Sequence, residues 1–282
     1  MSQPSVSVVI PAGRDLVVNR CIESIFGTKY DELEIIVVVR PGHTYSHPDS
    51  RVRVVEQDGK GVSNARNCGI RESRGKFIAF TDDDCVVSPG WLNYLLAPFE
   101  NPEMGGTGSI REANNSMEPL ASMWDLSYIR MGGLKEKYRY LNAHDTYLCT
   151  SSAVFRADII KALGGFDEIL PSGEDYDLSR RVKDAGFRIA LVPEARVRHD
   201  HPATWKSMIR QQLWFARGDI ELARKYGKKG IRLRLLLSVP LYSAMSLPVA
   251  LKLEGIGKKL VFPVFVFIRC ASRFAGSVIY HG

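Results

Sequence analysis

The chain lacks any CxxC pair, and its five cysteines, Cys21, Cys68, Cys85, Cys149 and Cys270, are odd in number and widely spaced. That argues against a disulfide framework and a structural zinc site, and leaves reduced thiols that fill the core. The opening, MSQPSVSVVIPAGRD, lacks the basic region and apolar stretch of a secretory signal, so the reading starts the protein in the cytosol. No internal repeat or low-complexity segment interrupts the 282 residues. Long apolar runs are scarce as well. The run 235–251 reaches 17 residues and the run 260–268 only 9, and both are broken by proline, at Pro240, Pro248 and Pro263. Neither reads as a membrane span of roughly 20 residues.

What is present is the composition of an ordinary globular enzyme, 45% apolar and 24% charged. The net charge of +7 is unevenly spread. From Thr204 onward 14 Lys and Arg face 3 Asp and Glu, a net of +11, which leaves residues 1–203 at −4. A mildly acidic body of 1–203 with a basic tail of 204–282 points to an anionic surface as the tail's partner.

Along the body, apolar runs of strand length alternate with helical patterns. SVSVVIP (5–11), LEIIVVV (33–39), VRVVEQ (52–57) and KFIAF (76–80) read as strands. LVVNRCIESIF and GVSNARNCGIRES (61–73) read as helices, the second with Ser63 as its cap, and WLNYLLAPFE (91–100) follows as a third. Residues 105–150 are irregular. ADIIKALGGFDE (157–168) and EDYDLSRRVKDAG (174–186) are helices closed by glycine, and RIALVP (188–193) and ARVRH (195–199) are two short strands. Such alternation predicts an α/β fold whose ligands gather at the carboxyl ends of the strands.

At one such end stand Asp82, Asp83 and Asp84. Three like charges after a buried strand ask for a cation, and hard ions such as Mg²⁺ or Mn²⁺ choose oxygen ligands and share them with phosphates. A solvated turn rich in aspartate is the competing explanation. Glu174, Asp175 and Asp177 open a helix, where negative charge is favoured by the macrodipole. A cap needs one carboxylate, not three, so one is free to act as a general base. His199 ends a strand before a loop and becomes a candidate ligand if a metal sits nearby.

GKGVSNARNCGIRESRGKFIAFTDDDCVV, FRADIIKALGGFDEILPSGEDYDLSRRVKDAGFRIALVPEARVRHDHP and, more loosely, RQQLWFARG resemble segments of the inverting nucleotide-sugar glycosyltransferases of family 2. The resemblance spans about residues 5–200 and implies a GT-A fold, a Rossmann-like mixed sheet flanked by helices, here with a C-terminal basic and apolar helical appendage. It implies Asp82 and Asp84 as the Asp-x-Asp pair, with Asp84 on Mg²⁺ or Mn²⁺ and His199 as a third metal ligand. Pro11, Ala12, Arg14, Arg40, Arg66, Asp82 and Asp83 would bind the nucleoside-diphosphate sugar, with Arg66 near its phosphates. Asp175 would be the catalytic base, and Glu174 and Trp214 would meet the acceptor.

Two positions depart from the family pattern. Gly13 and Arg14 follow the first strand's proline where an aromatic and Asn are usual, and Val39 and Arg40 stand where Asp-Asp-Gly-Ser would read the base. A guanidinium has donors only and cannot accept a base N–H, so the base subsite departs from the family's and Arg40 suits a phosphate or a carbonyl. Trp205, Trp214 and Phe215 among Lys206, Arg210 and Arg217 could stack with nucleic acid. The proline-broken apolar runs favour instead a helix or hairpin in the interface of an anionic membrane, at its cytoplasmic face, serving a lipid-linked or membrane-proximal glycan acceptor. Two other readings stay open: a metal-dependent nucleotidyltransferase, and a catalytically silent carbohydrate- or lipid-binding module.

Overall fold

The computed structural model describes residues 5–13, 15–115, 117–127, 139–141 and 146–280. They fall into two compact units. The first comprises the described residues within 1–114, 136–168 and 174–199, and the second those within 115–135, 169–173 and 200–282.

The first unit opens with β1 (Val6–Ala12), α1 (Asp15–Phe26), β2 (Leu33–Val39), β3 (Val52–Glu56), α2 (Gly61–Glu72) and β4 (Phe77–Thr81). β1 pairs in parallel with β2 on one side and β4 on the other, and β2 pairs in parallel with β3. Every residue of β2 is buried, as its largely apolar run requires of a strand covered on both faces, and the one carboxylate in it, Glu34, is held by Ser7, Arg53 and the Arg74 amide. Because the chain moves outward from β1 to β2 and then returns to β4, a crevice opens at the carboxyl ends of β1 and β4.

The expected cap Ser63 lies inside α2 and is buried, while Lys60 takes the N-cap position with no side-chain bond. What seats α2 is Gly69. A Cβ there would lie 2.2 Å from Val9 Cγ1, so only glycine lets the helix rest directly on β1.

Then follow β5 (Val86–Val87), α3 (Trp91–Leu96) with a 3-10 turn (Ala97–Glu100), and β6 (Met104–Ala113). β6 lies in the stretch read as irregular. Its sequence MGGTGSIREA is poor in strand formers, but its glycines make room: a Cβ at Gly106 would lie 2.7 Å from Phe155 Cδ1. β7 (Arg139–Tyr140), β8 (Ser152–Arg156), α5 (Ala157–Ala162), α6 (Glu174–Asp184) and β9 (Arg188–His199) complete the unit. The sheet order is β3-β2-β1-β4-β8-β6-β9-β5, with β7 paired to β9, and β4–β8, β6–β8 and β5–β9 are antiparallel. The two short strands expected at 188–199 are one. Val192 pairs with Ser109 and Arg196 with Ile110, so Pro193 sits in a bulge where its missing N–H costs nothing.

The second unit holds α4 (Pro119–Leu126), α7 (Trp205–Lys225), α8 (Ile231–Leu251) and α9 (Ile256–Ile279). Thr204 and Ser207 form a capping box at the start of α7. Phe262, Phe265, Val266 and Cys270 of α9 pack with Met208, Leu120, Met123 and Trp124. A Cβ at Gly276 would lie 2.7 Å from Ala216 Cβ, which marks the close approach of α9 to α7, and Arg273 holds Asp219 through contacts of 2.6 and 2.7 Å. The prolines did not shorten the helices as expected. α8 and α9 run through Pro240, Pro248 and Pro263 for 21 and 24 residues, long and apolar enough by length and composition to cross a membrane.

Candidate active site

Two asparagines of α2 tie it to the segment before α6. Asn67 Oδ1 accepts from the Phe166 amide at 2.8 Å, its Nδ2 donates to the Phe166 carbonyl at 2.9 Å, and Asn64 and Asn67 both donate to the Glu168 carboxylate. Gly165, at φ +73°, passes so close that a Cβ would lie 2.4 Å from Asn67 Oδ1. This clamp brings the start of α6 beside α2 and the end of β4.

Between them lies Arg66, only 4% exposed. Its Nη1 donates to Glu174 Oε1 at 2.6 Å and its Nη2 to Asp82 Oδ1 at 3.0 Å. One buried guanidinium therefore joins the two acidic clusters. Burial alone would lower its proton affinity, but Asp82, Glu174 and Asp175 raise it further, so it stays charged.

The strand-end aspartates have three different partners. Asp82 meets Arg66. Asp83, buried, accepts the Gly13 amide at 2.8 Å through Oδ2 and so fixes the turn after β1. Asp84 Oδ1 lies 3.4 Å from His199 Nε2, and Asp82 Oδ2 lies 4.0 Å from the same nitrogen. Asp82, Asp84 and His199 thus converge. Carboxylate and imidazole donors at this spacing suit a divalent ion such as Mg²⁺ or Mn²⁺.

The structure adds a neighbour the sequence reading passed over. Cys85 Sγ can join Asp82 and His199 in a set of donor atoms within 4.8 Å of one another. Its place directly after the triplet was the only signal. Burial first, then the charge of Asp82, pushes its thiol well up, and Sγ donates weakly to the Ser151 carbonyl at 3.6 Å. A protonated, soft thiol is a poor partner for a hard ion, so the oxygens and the imidazole are the better ligand set.

At α6, the three carboxylates also divide. Glu174 binds Arg66, and Asp177, fully buried, receives Arg181 Nε at 2.8 Å while the same arginine donates to the carbonyls of Leu163 and Gly165. Asp175, half-buried, accepts the Tyr176 amide at 2.8 Å. Burial, then the neighbouring Glu174 charge, pushes Asp175 up to about 7, against the opposing pull of the Tyr176 amide, Arg66 and Arg111. Arg111, which also donates to Cys149 Sγ at 3.2 Å, was missed because β6 was not read as a strand.

On the donor side, Pro11 and Ala12 end β1. A Cβ on Gly13 would lie 3.7 Å from both Arg40 Nη2 and Asp83 Oδ2, so Arg40 leans over this turn. Arg14 lies outside the described residues. Trp214 belongs to the second unit, where it is exposed.

The sequence model of the family described as Glycosyltransferase like family 2 matches residues 4–215. The chain belongs to that family. It is 30% identical over 239 residues to a pre-mycofactocin glycosyltransferase of Mycobacterium tuberculosis, an alignment covering 81% of this chain and 49% of the relative. The chain spans about half the length of that relative. Among solved structures, the mannosyltransferase PcManGT from Pyrobaculum calidifontis, in complex with GDP-Man and Mn²⁺, superposes with a TM-score of 0.65 at 15% identity, covering 96% of this chain and 87% of that one. GalNAc-T7 with UDP, GalNAc and Mn²⁺ gives a TM-score of 0.52 at 16% identity, over 71% of this chain and 43% of that one. The fold is the GT-A type expected from the sequence.

Proposed function

We propose that this glycosyltransferase-family chain moves a sugar from a nucleoside-diphosphate donor to a hydroxyl of a lipid-linked or membrane-proximal glycan acceptor, with inversion at the anomeric carbon. The observation that carries the reading is Asp175, a half-buried carboxylate pushed up to about 7 and linked by Glu174 and Arg66 to the acidic end of β4. A base in that range takes the acceptor's proton as its oxygen attacks, which is the work of a general base at neutral pH. Glu174 beside it is engaged by the Arg66 guanidinium, which leaves Asp175 as the base and suits direct displacement, and hence inversion.

We assign Mg²⁺ or Mn²⁺ to Asp82, Asp84 and His199. The two solved neighbours carry Mn²⁺ with GDP-Man or UDP, which supports a divalent ion and a nucleotide-sugar donor here. Bound there, such an ion stabilises the negative charge that develops on the leaving diphosphate. Arg66 holds Asp82 and Glu174 in fixed register. Asp83 holds the turn that follows Pro11 and Ala12, which with Arg14, Arg40 and Arg66 we assign to the donor. Arg40, having donors only, suits a phosphate or carbonyl oxygen. Glu174 orients the acceptor hydroxyl, and Trp214 meets the membrane end of the acceptor.

Membrane association at the cytoplasmic face is supported by the second unit's excess of Lys and Arg, which suits the anionic inner leaflet, and by the outward leucines 233, 236, 237, 241, 247 and 251 of α8. The test is a thermal-shift titration with UDP, GDP, CDP, ADP and dTDP, each with and without Mn²⁺, on the parent and on Asp84→Ala. A metal-dependent rise with one nucleotide, lost in the variant, is expected. No rise with any nucleotide would overturn the donor and metal assignments together.

A further inference from the structure

α7 exposes Lys206, Arg210, Trp214 and Arg217, a row whose spacing keeps side chains on one helix face. The opposite face, Met208, Gln212, Ala216, Ile220 and Ala223, is buried within the second unit. Burial of that face turns the row toward solvent and leaves Trp214 43% exposed. The acidic side chains of α7 are already engaged, Asp219 by Arg273 and Glu221 by Arg224. Among the described residues, Lys206, Arg210 and Arg217 have no such acidic partner.

Beside the row runs an open groove of about 740 Å³, lined by Lys206, Ile209, Arg210, Leu213, Trp214 and Tyr280. Its lining joins two aliphatic side chains, two cations, one indole and one phenol. That combination matches a bilayer interface, where Trp and Tyr sit at the headgroups, Lys and Arg meet phosphates, and aliphatic groups meet acyl chains. Stacked bases would want a run of aromatic platforms, whereas Ile209 and Leu213 suit a lipid chain.

We propose that the outer face of α7 is a binding surface for anionic phospholipid, with Lys206, Arg210 and Arg217 on the headgroup phosphates and Trp214 and Tyr280 at the acyl boundary. This rests on the membrane association proposed above and sharpens it: the leucines of α8 are then not the only attachment, and α7 selects the lipid charge. It also gives Trp214 its contact, the bilayer in which the acceptor lies.

The experiment is co-sedimentation of the full chain with phosphatidylcholine vesicles, with and without phosphatidylglycerol, over a salt series. Each cation near an anionic leaflet is worth about fivefold in affinity, so Lys206→Gln/Arg210→Gln/Arg217→Gln should lose on the order of 100-fold toward phosphatidylglycerol vesicles. A matched variant in the first unit, Lys29→Gln/Lys60→Gln/Lys76→Gln, has the same net charge and should keep its binding. Brominated acyl chains should quench tryptophan emission in the parent and much less in Trp214→Phe. Equal binding by the two triple variants would overturn the α7 assignment and leave membrane association standing. No binding by the parent would overturn both. Row-dependent binding of single-stranded RNA, with none to vesicles, would replace the lipid by a nucleic acid.

Discussion

The end of β4 and the start of α6 each present three carboxylates, yet the two triplets are held differently. At the strand end each aspartate has its own partner: Asp82 the Arg66 guanidinium, Asp83 the Gly13 amide, Asp84 the His199 ring. At the helix start Glu174 and Asp177 have arginines, and Asp175 between them accepts, among the described residues, only a backbone amide at short range. A carboxylate buried beside another charge and lacking its own cation holds its proton more tightly. In the first triplet Asp82 and Asp84 converge on His199 while Asp83 holds a backbone turn, and in the second Asp175 holds its proton more tightly than an ordinary carboxylate. Sequence composition cannot separate these roles, because both triplets are simply Asp and Glu at the end of an element.

The sharpest way to break the contrast is Asp175→Asn. If Asp175 is the base, transfer falls 10²- to 10⁴-fold, the usual range for a general base, while donor binding in the thermal-shift assay is retained. In the parent, transfer should rise with pH through about 7 as Asp175 ionises. Stability has the opposite slope. The folded chain keeps the proton up to about 7 and the unfolded chain releases it near 3.8, so the folded state binds more protons in that interval and loses stability as pH rises through it. Asp175→Asn should melt above the parent at about pH 8, and this advantage should shrink toward pH 4. Unchanged transfer in the variant would remove the mechanism.

Arg66 is where the triplets meet, so Arg66→Met tests both. It leaves Asp82 and Glu174 without their shared counter-charge, and breaking a buried pair in this way costs about 3–5 kcal/mol in denaturant unfolding. Its positive charge also opposes the raised proton affinity of Asp175, so its loss should move the rising limb of the pH profile upward. A loss of stability with no movement of that limb would make Arg66 a brace for the fold and nothing more.

The boundaries of this comparison were unevenly legible in the sequence. LEIIVVV was read at its observed limits because a run of six apolar residues around one Glu has few alternatives as a central strand. Asp82, Asp84 and His199 were grouped by resemblance, and the fold brings them together although 115 residues of chain separate His199 from Asp84. β6 was hidden because its glycines lower strand propensity while serving Phe155 and Leu148 across the sheet, a reason visible only once the partner strands are in place. Arg111 and its pull on Asp175 were hidden with it. The resemblance put Arg66 near the donor phosphates, and nothing local in ARNCG announces that its guanidinium also bridges two carboxylates. Prolines 240, 248 and 263 were read as breaks, yet α8 and α9 continue through them.

The smallest expected effect sharpens the contrast within the strand-end triplet itself. Asp83 points away from the converging pair, and its Oδ2 holds the Gly13 amide. In Asp83→Asn the side-chain carbonyl can still accept that N–H, but a hydrogen bond to a neutral group is weaker than one to a charged group by about 1 kcal/mol. The variant should therefore unfold slightly earlier and bind the nucleotide a few fold more weakly, through a looser turn after β1, while its metal dependence and the pH midpoint of transfer stay with the parent. Asp84→Asn, one residue later, removes a charge facing His199 and should lose the metal-dependent part of the thermal shift. Equal behaviour of the two variants would mean that the triplet acts as one diffuse charge, and that the separate partners in the structure do not divide its work.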